Sequence, residues 1–302
     1  MKLNRLRRRR GGLTDRRGQR SFGLGRGTGA GFGLPMGGGS IGGAIGVVLL
    51  LVVLAFQFCG SEGGGFGIPG LPGDLGGVDA APTGQTGPGP SDDLGSFVDA
   101  LSDDIQITWD QDIFQPAGRT YRYTDIVLFT QRTDSACGAA TVGIGPFYCP
   151  ADHLIYLEEG FFSQLDKRFG APGDFAQAYV IAHEFGHHIQ SLLGIEADVQ
   201  QQSRDHPDQA NELSVRLELQ ADCFAGVWAK SVYDRGVLDA GDIDEGLNAA
   251  AAVGDDRIQQ ETQGRIDPDT FTHGTSAQRQ TWFRRGFDSG APEDCDTFSV
   301  DL

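Results

Sequence analysis

The residues best placed to do chemistry lie in one pentapeptide, His183-Glu184-Phe185-Gly186-His187. On a helix, positions i and i+4 project side by side, so His183 and His187 can direct imidazole nitrogens at one Zn2+. Glu184 lies about 100° further round the helix, outside the ligand row but near enough to reach a metal-bound water as general base. Two histidines leave a third protein ligand to be found. Downstream, Glu218 and Asp222 are again four residues apart and share a helical face. If the two helices pack face to face, Glu218 becomes the third ligand of a single Zn2+ per chain. Asp222 then accepts the free N–H of a ligand histidine and fixes its tautomer. Acids on helices are usually solvated, but Glu218 sits among Leu213, Leu217, Leu219 and Phe224.

The elements that must hold these groups are legible. Phe175, Tyr179, Ala182, Phe185, Ile189 and Leu193 recur at helical spacing over Asp174 to Leu193. Asp174 is read as N-cap, with Gln177 closing a capping box and Gly194 as the stop. Pro207 to about Arg235 reads as a second long helix, with Leu213, Leu217, Phe224 and Trp228 on one face and Gly236 after its end. No C-x-x-C pair occurs, which excludes a cysteine-rich zinc ribbon. Cys137, Cys149, Cys223 and Cys295 suggest two disulfides with three connectivities, of which Cys137–Cys149 with Cys223–Cys295 is favoured.

The 302-residue chain carries 24 basic and 41 acidic residues, which argues against a nucleic-acid binder. That average hides a seam. Residues 1–40 hold ten Lys/Arg and one acid, Asp15, with glycine filling most of the rest, and read as a disordered basic tail. Residues 41–58 are uncharged and centred on a Val/Leu run, long enough for one transmembrane helix. Basic residues on one side only place the N-terminus in the cytoplasm and the remainder outside the cell membrane, as a single-pass anchor. Residues 59–92 are a Gly/Pro-rich linker. Residues 93–302 have the ordinary composition of one folded domain.

The combination H-E-x-x-H and E-x-x-x-D resembles the gluzincin arrangement of zinc peptidases. More narrowly, the chain resembles the bacterial "putative neutral zinc metallopeptidase" family. The stretches that carry the resemblance are Gly145 to Asp152 (GPFYCPAD), Gly173 to Gln190 (GDFAQAYVIAHEFGHHIQ), Ser214 to Gly226 (SVRLELQADCFAG) and His273 to Arg279 (HGTSAQR). It spans about 120 to 290 and touches the tail through Asp15-Arg-Arg-Gly18. The resemblance implies a zincin-like α+β domain, mainly α with a small β-sheet, and a peptide or protein substrate that it does not specify.

Other residues carry weaker expectations. His188 points 100° away from His187 and reads as a packed neighbour of the site rather than a ligand. His153 opens the run His153 to Leu157, either a core strand or the edge strand that a gluzincin-like site offers to substrate. His273, before the helix start Thr275 to Gln278, is a candidate for steadying an oxyanion or a structural residue. Tyr148 and Tyr156 are similar candidates. Asp255-Asp256 reads as a cap and loop, and His206 as a solvated helix entrance. The chemistry expected is peptide hydrolysis with Glu184 as general base. Two alternatives stay open: a non-catalytic zinc-containing envelope binding module, and a zinc hydrolase of a non-peptide amide.

Overall fold

The computed structural model describes residues 1–9, 12–18 and 92–302. The apolar stretch 41–58 and residues 59–91 of the linker lie outside them. Among the described residues, no helix is long and apolar enough to cross a membrane. The architecture is mainly helical with a small sheet, as expected.

Six strands are present among the described residues: β1 (Leu13–Asp15), β2 (Ile126–Phe129), β3 (Arg132–Ser135), β4 (Gly138–Thr141), β5 (Phe147–Cys149) and β6 (Leu154–Glu158). Four form one sheet in the order β1-β2-β6-β5, and β3 and β4 form a separate antiparallel hairpin. β1, β2 and β6 run parallel, while β5 pairs antiparallel with β6. The all-apolar run Ile126 to Phe129 suits a strand with neighbours on both edges, and all four of its residues are buried.

Among the described residues there are also eight α-helices: α1 (Asp93–Ile107), α2 (Phe161–Lys167), α3 (Asp174–Leu193), α4 (Ile195–Asp205), α5 (Ala210–Asp234), α6 (Asp242–Ala252), α7 (Asp255–Gln263) and α8 (Ser276–Ser289). α5 is the central helix, packed by α3 and α8. Its crossing with α8 brings backbones together at Gly226 and Gly286. A Cβ on either would run into the carbonyl of Phe283 or Cys223. Glycine is required there because the helices touch through their main chains. Both disulfides have the favoured connectivity, Cys137–Cys149 and Cys223–Cys295, with Cα–Cα distances of 5.8 and 5.6 Å.

Two expectations are corrected, and one left open is decided. The reading of residues 1–40 as a disordered tail fails over the described part. Leu6 and Leu13 are buried in the main core, and residues 13–15 are a sheet strand. The segment lacks a long apolar period because it contributes single anchors, not a helical face. Next, the capping box at Asp174 is not formed. Gly173 (φ 117°) is the N-cap, Asp174 is the first helical residue, and the Phe175 N–H donates instead to Glu245 Oε2 at 3.1 Å. Finally, residues 154–158 form an inner strand, and the sheet ends at β5. The C-terminal stop at Gly194 (φ 80°) and the Thr275–Gln278 capping box are both present.

Candidate metal centre

α3 and α5 build the centre together. Gly186, the second unspecified position of H-E-x-x-H, faces Ala221 so closely that a Cβ would stand 2.8 Å from the Ala221 Cα. This approach brings the Glu218–Asp222 face of α5 onto the histidines. Glu218 Oε2 lies 3.2 Å from His183 Nε2, and Glu218 Oε1 lies 3.5 Å from His187 Nε2. The donor atoms of His183, His187 and Glu218 all fall within 4.8 Å of one another. Two imidazole nitrogens and a carboxylate oxygen at such spacing are a donor set that suits Zn2+. His183 is buried, whereas His187 and Glu218 keep partial exposure.

The outer nitrogens of both histidines are held. His183 Nδ1 pairs with Asp222 Oδ1 at 2.8 Å, which keeps the proton on Nδ1 and leaves Nε2 as the nitrogen that a metal ion would take in place of a proton. His187 Nδ1 pairs with Gln190 Oε1 at 2.9 Å. The Gln190 amide in turn donates to the Leu217 carbonyl of α5 at 2.7 Å. Asp222 also takes the Tyr179 hydroxyl and the Arg279 guanidinium, whose Nε and Nη2 lie 2.8 and 2.9 Å from its two oxygens. Arg279 is 3 % exposed, and its Nη2 lies 3.9 Å from Glu218. A buried carboxylate with this many donors stays ionised and in one orientation.

The electrostatics favour a cation. Burial disfavours a charged His183, yet Asp222 and Glu218 outweigh it and lift its pKa to about 10. Partial burial acts against a charged Glu218, but the flanking histidines, including His273, keep it well below the usual carboxylate range. Glu184 differs. Burial raises its pKa, while His183, His187 and the Tyr148 backbone N–H pull the other way. That amide belongs to β5, so the general-base candidate sits against the edge strand of the sheet.

His273 lies close enough to Glu218 for each to stabilise the other's charge, and its own pKa is raised by Glu218 and Asp255 against the effect of burial. Asp255 Oδ1 holds His273 Nδ1 at 3.1 Å. Asp255 Oδ2 accepts the backbone N–H groups of Thr272, His273 and Gly274. Asp255 is therefore the clamp of this loop as well as a helix-start residue. The remaining candidates sit apart from the ligand set. His188 is fully buried between Tyr148 and the Arg122 carbonyl, and burial depresses its pKa to about 4. His153 and Tyr148 bond each other at 2.9 Å, Tyr156 bonds Asp152, and His206 is exposed between α4 and the turn that leads to α5. Arg279 and the clamping role of Asp255 were not anticipated, although Arg279 closes the HGTSAQR stretch. A buried basic residue one helix away leaves no periodic signal.

The chain belongs to the family described as "putative neutral zinc metallopeptidase", whose model matches residues 2–298. It is 51 % identical over 212 residues to the uncharacterized protein YpfJ of Escherichia coli K12, covering 70 % of this chain and 74 % of that one. It is 46 % identical over 199 residues to the uncharacterized protein Rv2575 of Mycobacterium tuberculosis H37Rv, covering 62 % and 67 %. No solved structure matches the chain.

Proposed function

We propose that the protein is a zinc-dependent peptidase, with His183, His187 and Glu218 as ligands and Glu184 as general base. When bound, Zn2+ polarises a carbonyl and acidifies water. Glu184 takes the proton of the attacking water and passes it to the leaving amine. His273, oriented by Asp255, donates through its other ring nitrogen to the oxygen that gains charge. The outer side of β5 has no strand partner among the described residues, so an extended peptide can align there by main-chain hydrogen bonds beside Glu184. This edge strand favours a peptide over a compact amide substrate.

The observation that carries the reading is the pairing of a closed three-donor set with a separate buried carboxylate one residue along α3. A purely structural zinc site has no use for that carboxylate, which supports a catalytic role over the non-catalytic binding module. The test is to load the purified full chain with zinc and assay an unbiased peptide library. About one zinc per chain and cleavage that chelator abolishes and zinc restores are expected. Zinc binding without cleavage of any peptide would favour the binding module.

A further inference from the structure

We infer that residues 1–9, 12–18 and 92–302 are parts of one domain in one compartment, an arrangement that a single membrane crossing between residues 18 and 92 does not fit. The N-terminal segment is bound by the domain along its described length. Leu6 and Leu13 enter the main core at 6 % and 7 % exposure. β1 continues the sheet, with the Ile126 N–H donating to the Gly12 carbonyl and the Arg16 N–H to the Leu128 carbonyl, both at 2.8 Å.

The charge pattern agrees. α1 presents Asp99, Asp103 and Asp104, all at most 8 % exposed. Asp103 and Asp104 each accept a backbone N–H from the N-terminal segment, of Arg9 and Arg7 respectively, at 2.7 Å. Arg8 reaches Asp99 at 2.7 Å, and Arg17 bridges Asp15 to Asp92 at 2.6 Å on each side. Without the segment, these carboxylates would lose partners and β2 would become an open apolar edge. Lys2, Arg7, Arg8 and Arg17, among the basic residues that suggested a cytoplasmic tail, are thus matched by acids of the same folded unit.

Geometry then limits topology. A single span through residues 41–58 would put residues 18 and 92 on opposite faces of a bilayer. β1 could not then pair with β2 of its own chain or of a neighbour inserted the same way. The match of the family model from residue 2 fits a segment integral to the domain.

The test uses the full chain expressed in a bacterial cell, with Cys59 changed to Ser. Arg5→Cys and, separately, Tyr233→Cys place one thiol on an exposed residue of each part; Tyr233 is 56 % exposed. Spheroplasts are treated with a membrane-impermeant maleimide before and after detergent opening. Both thiols reacting before opening, or both only after it, is the expected result. Reaction of one before opening and the other only after would overturn the inference. Thermal melting of the purified full chain gives an independent check. Leu13→Ala should lower the midpoint by roughly 5 °C or more, as for a buried leucine. An unchanged midpoint would show that the segment is not docked.

Discussion

Gly186 and Ala221 touch through their backbones: a Cβ at residue 186 would stand 2.8 Å from the Ala221 Cα and 2.9 Å from its carbonyl oxygen. α3 and α5 can therefore approach closely enough for Glu218 and Asp222 to meet His183 and His187. Gly186→Ala pushes the helices apart and lengthens the Glu218–His distances. We expect zinc affinity to fall by about ten-fold or more, read by competition with a chromophoric chelator, while the helical circular dichroism is kept. Unchanged affinity would mean the approach of the helices does not set the site.

Asp222 joins His183, Tyr179 and Arg279 in one buried network. Asp222→Asn keeps the shape but removes the charge that holds the His183 tautomer and balances Arg279. Zinc affinity should drop roughly 10–100-fold, the range for partners of metal-ligating histidines. The same titration in Tyr179→Phe should show a smaller loss, because that change removes one of several donors to Asp222.

His273 is held by Asp255 and lies outside the ligand set. His273→Ala should lower kcat by about 10²–10³-fold with zinc content unchanged, as for loss of a single oxyanion donor. Asp255→Asn should show a milder loss of the same kind, since it loosens His273 without removing it. Steady-state kinetics with metal analysis on the same samples checks both. A loss of zinc in His273→Ala would make it a ligand instead.

Asp103 titrates away from the metal centre. Burial raises its pKa from 3.8 to about 6, against the Arg9 backbone N–H. The fold thus prefers the neutral carboxyl. Its contribution to stability is greatest below pH 3.8 and is lost as pH rises through about 6. Asp103→Asn should therefore raise the melting midpoint at pH 7–8 by an amount worth roughly 1–3 kcal/mol. The advantage should shrink to nothing by about pH 4. Parallel melts of both proteins across this range give the comparison, and a constant offset would contradict the assignment.

The candidate ligand set was legible because helical spacing is a strong constraint: two histidines and two acids at i, i+4 can converge only if their helices face each other. The four cysteines of residues 93–302 suggested two disulfides but left three connectivities, and the favoured one is the pairing observed. Other features depend on contacts distant in sequence. β1 is three residues long and is recognisable only beside Ile126 to Leu128. The same holds for Arg279, on a helix 57 residues beyond its partner Asp222. The edge position of β5 is a matter of strand order, which local alternation does not encode. At Asp174 a sound local cap signal was overridden by Glu245 from a neighbouring helix.

The central claim is that Glu184 performs proton transfer at a metal site built by other residues. The direct measurement is zinc content and peptide cleavage of Glu184→Gln in the full chain, beside wild type. The account predicts about one zinc per chain in both proteins and cleavage reduced at least 10²-fold in the variant. A Glu184→Gln protein that binds zinc and still cleaves at close to the wild-type rate would contradict it.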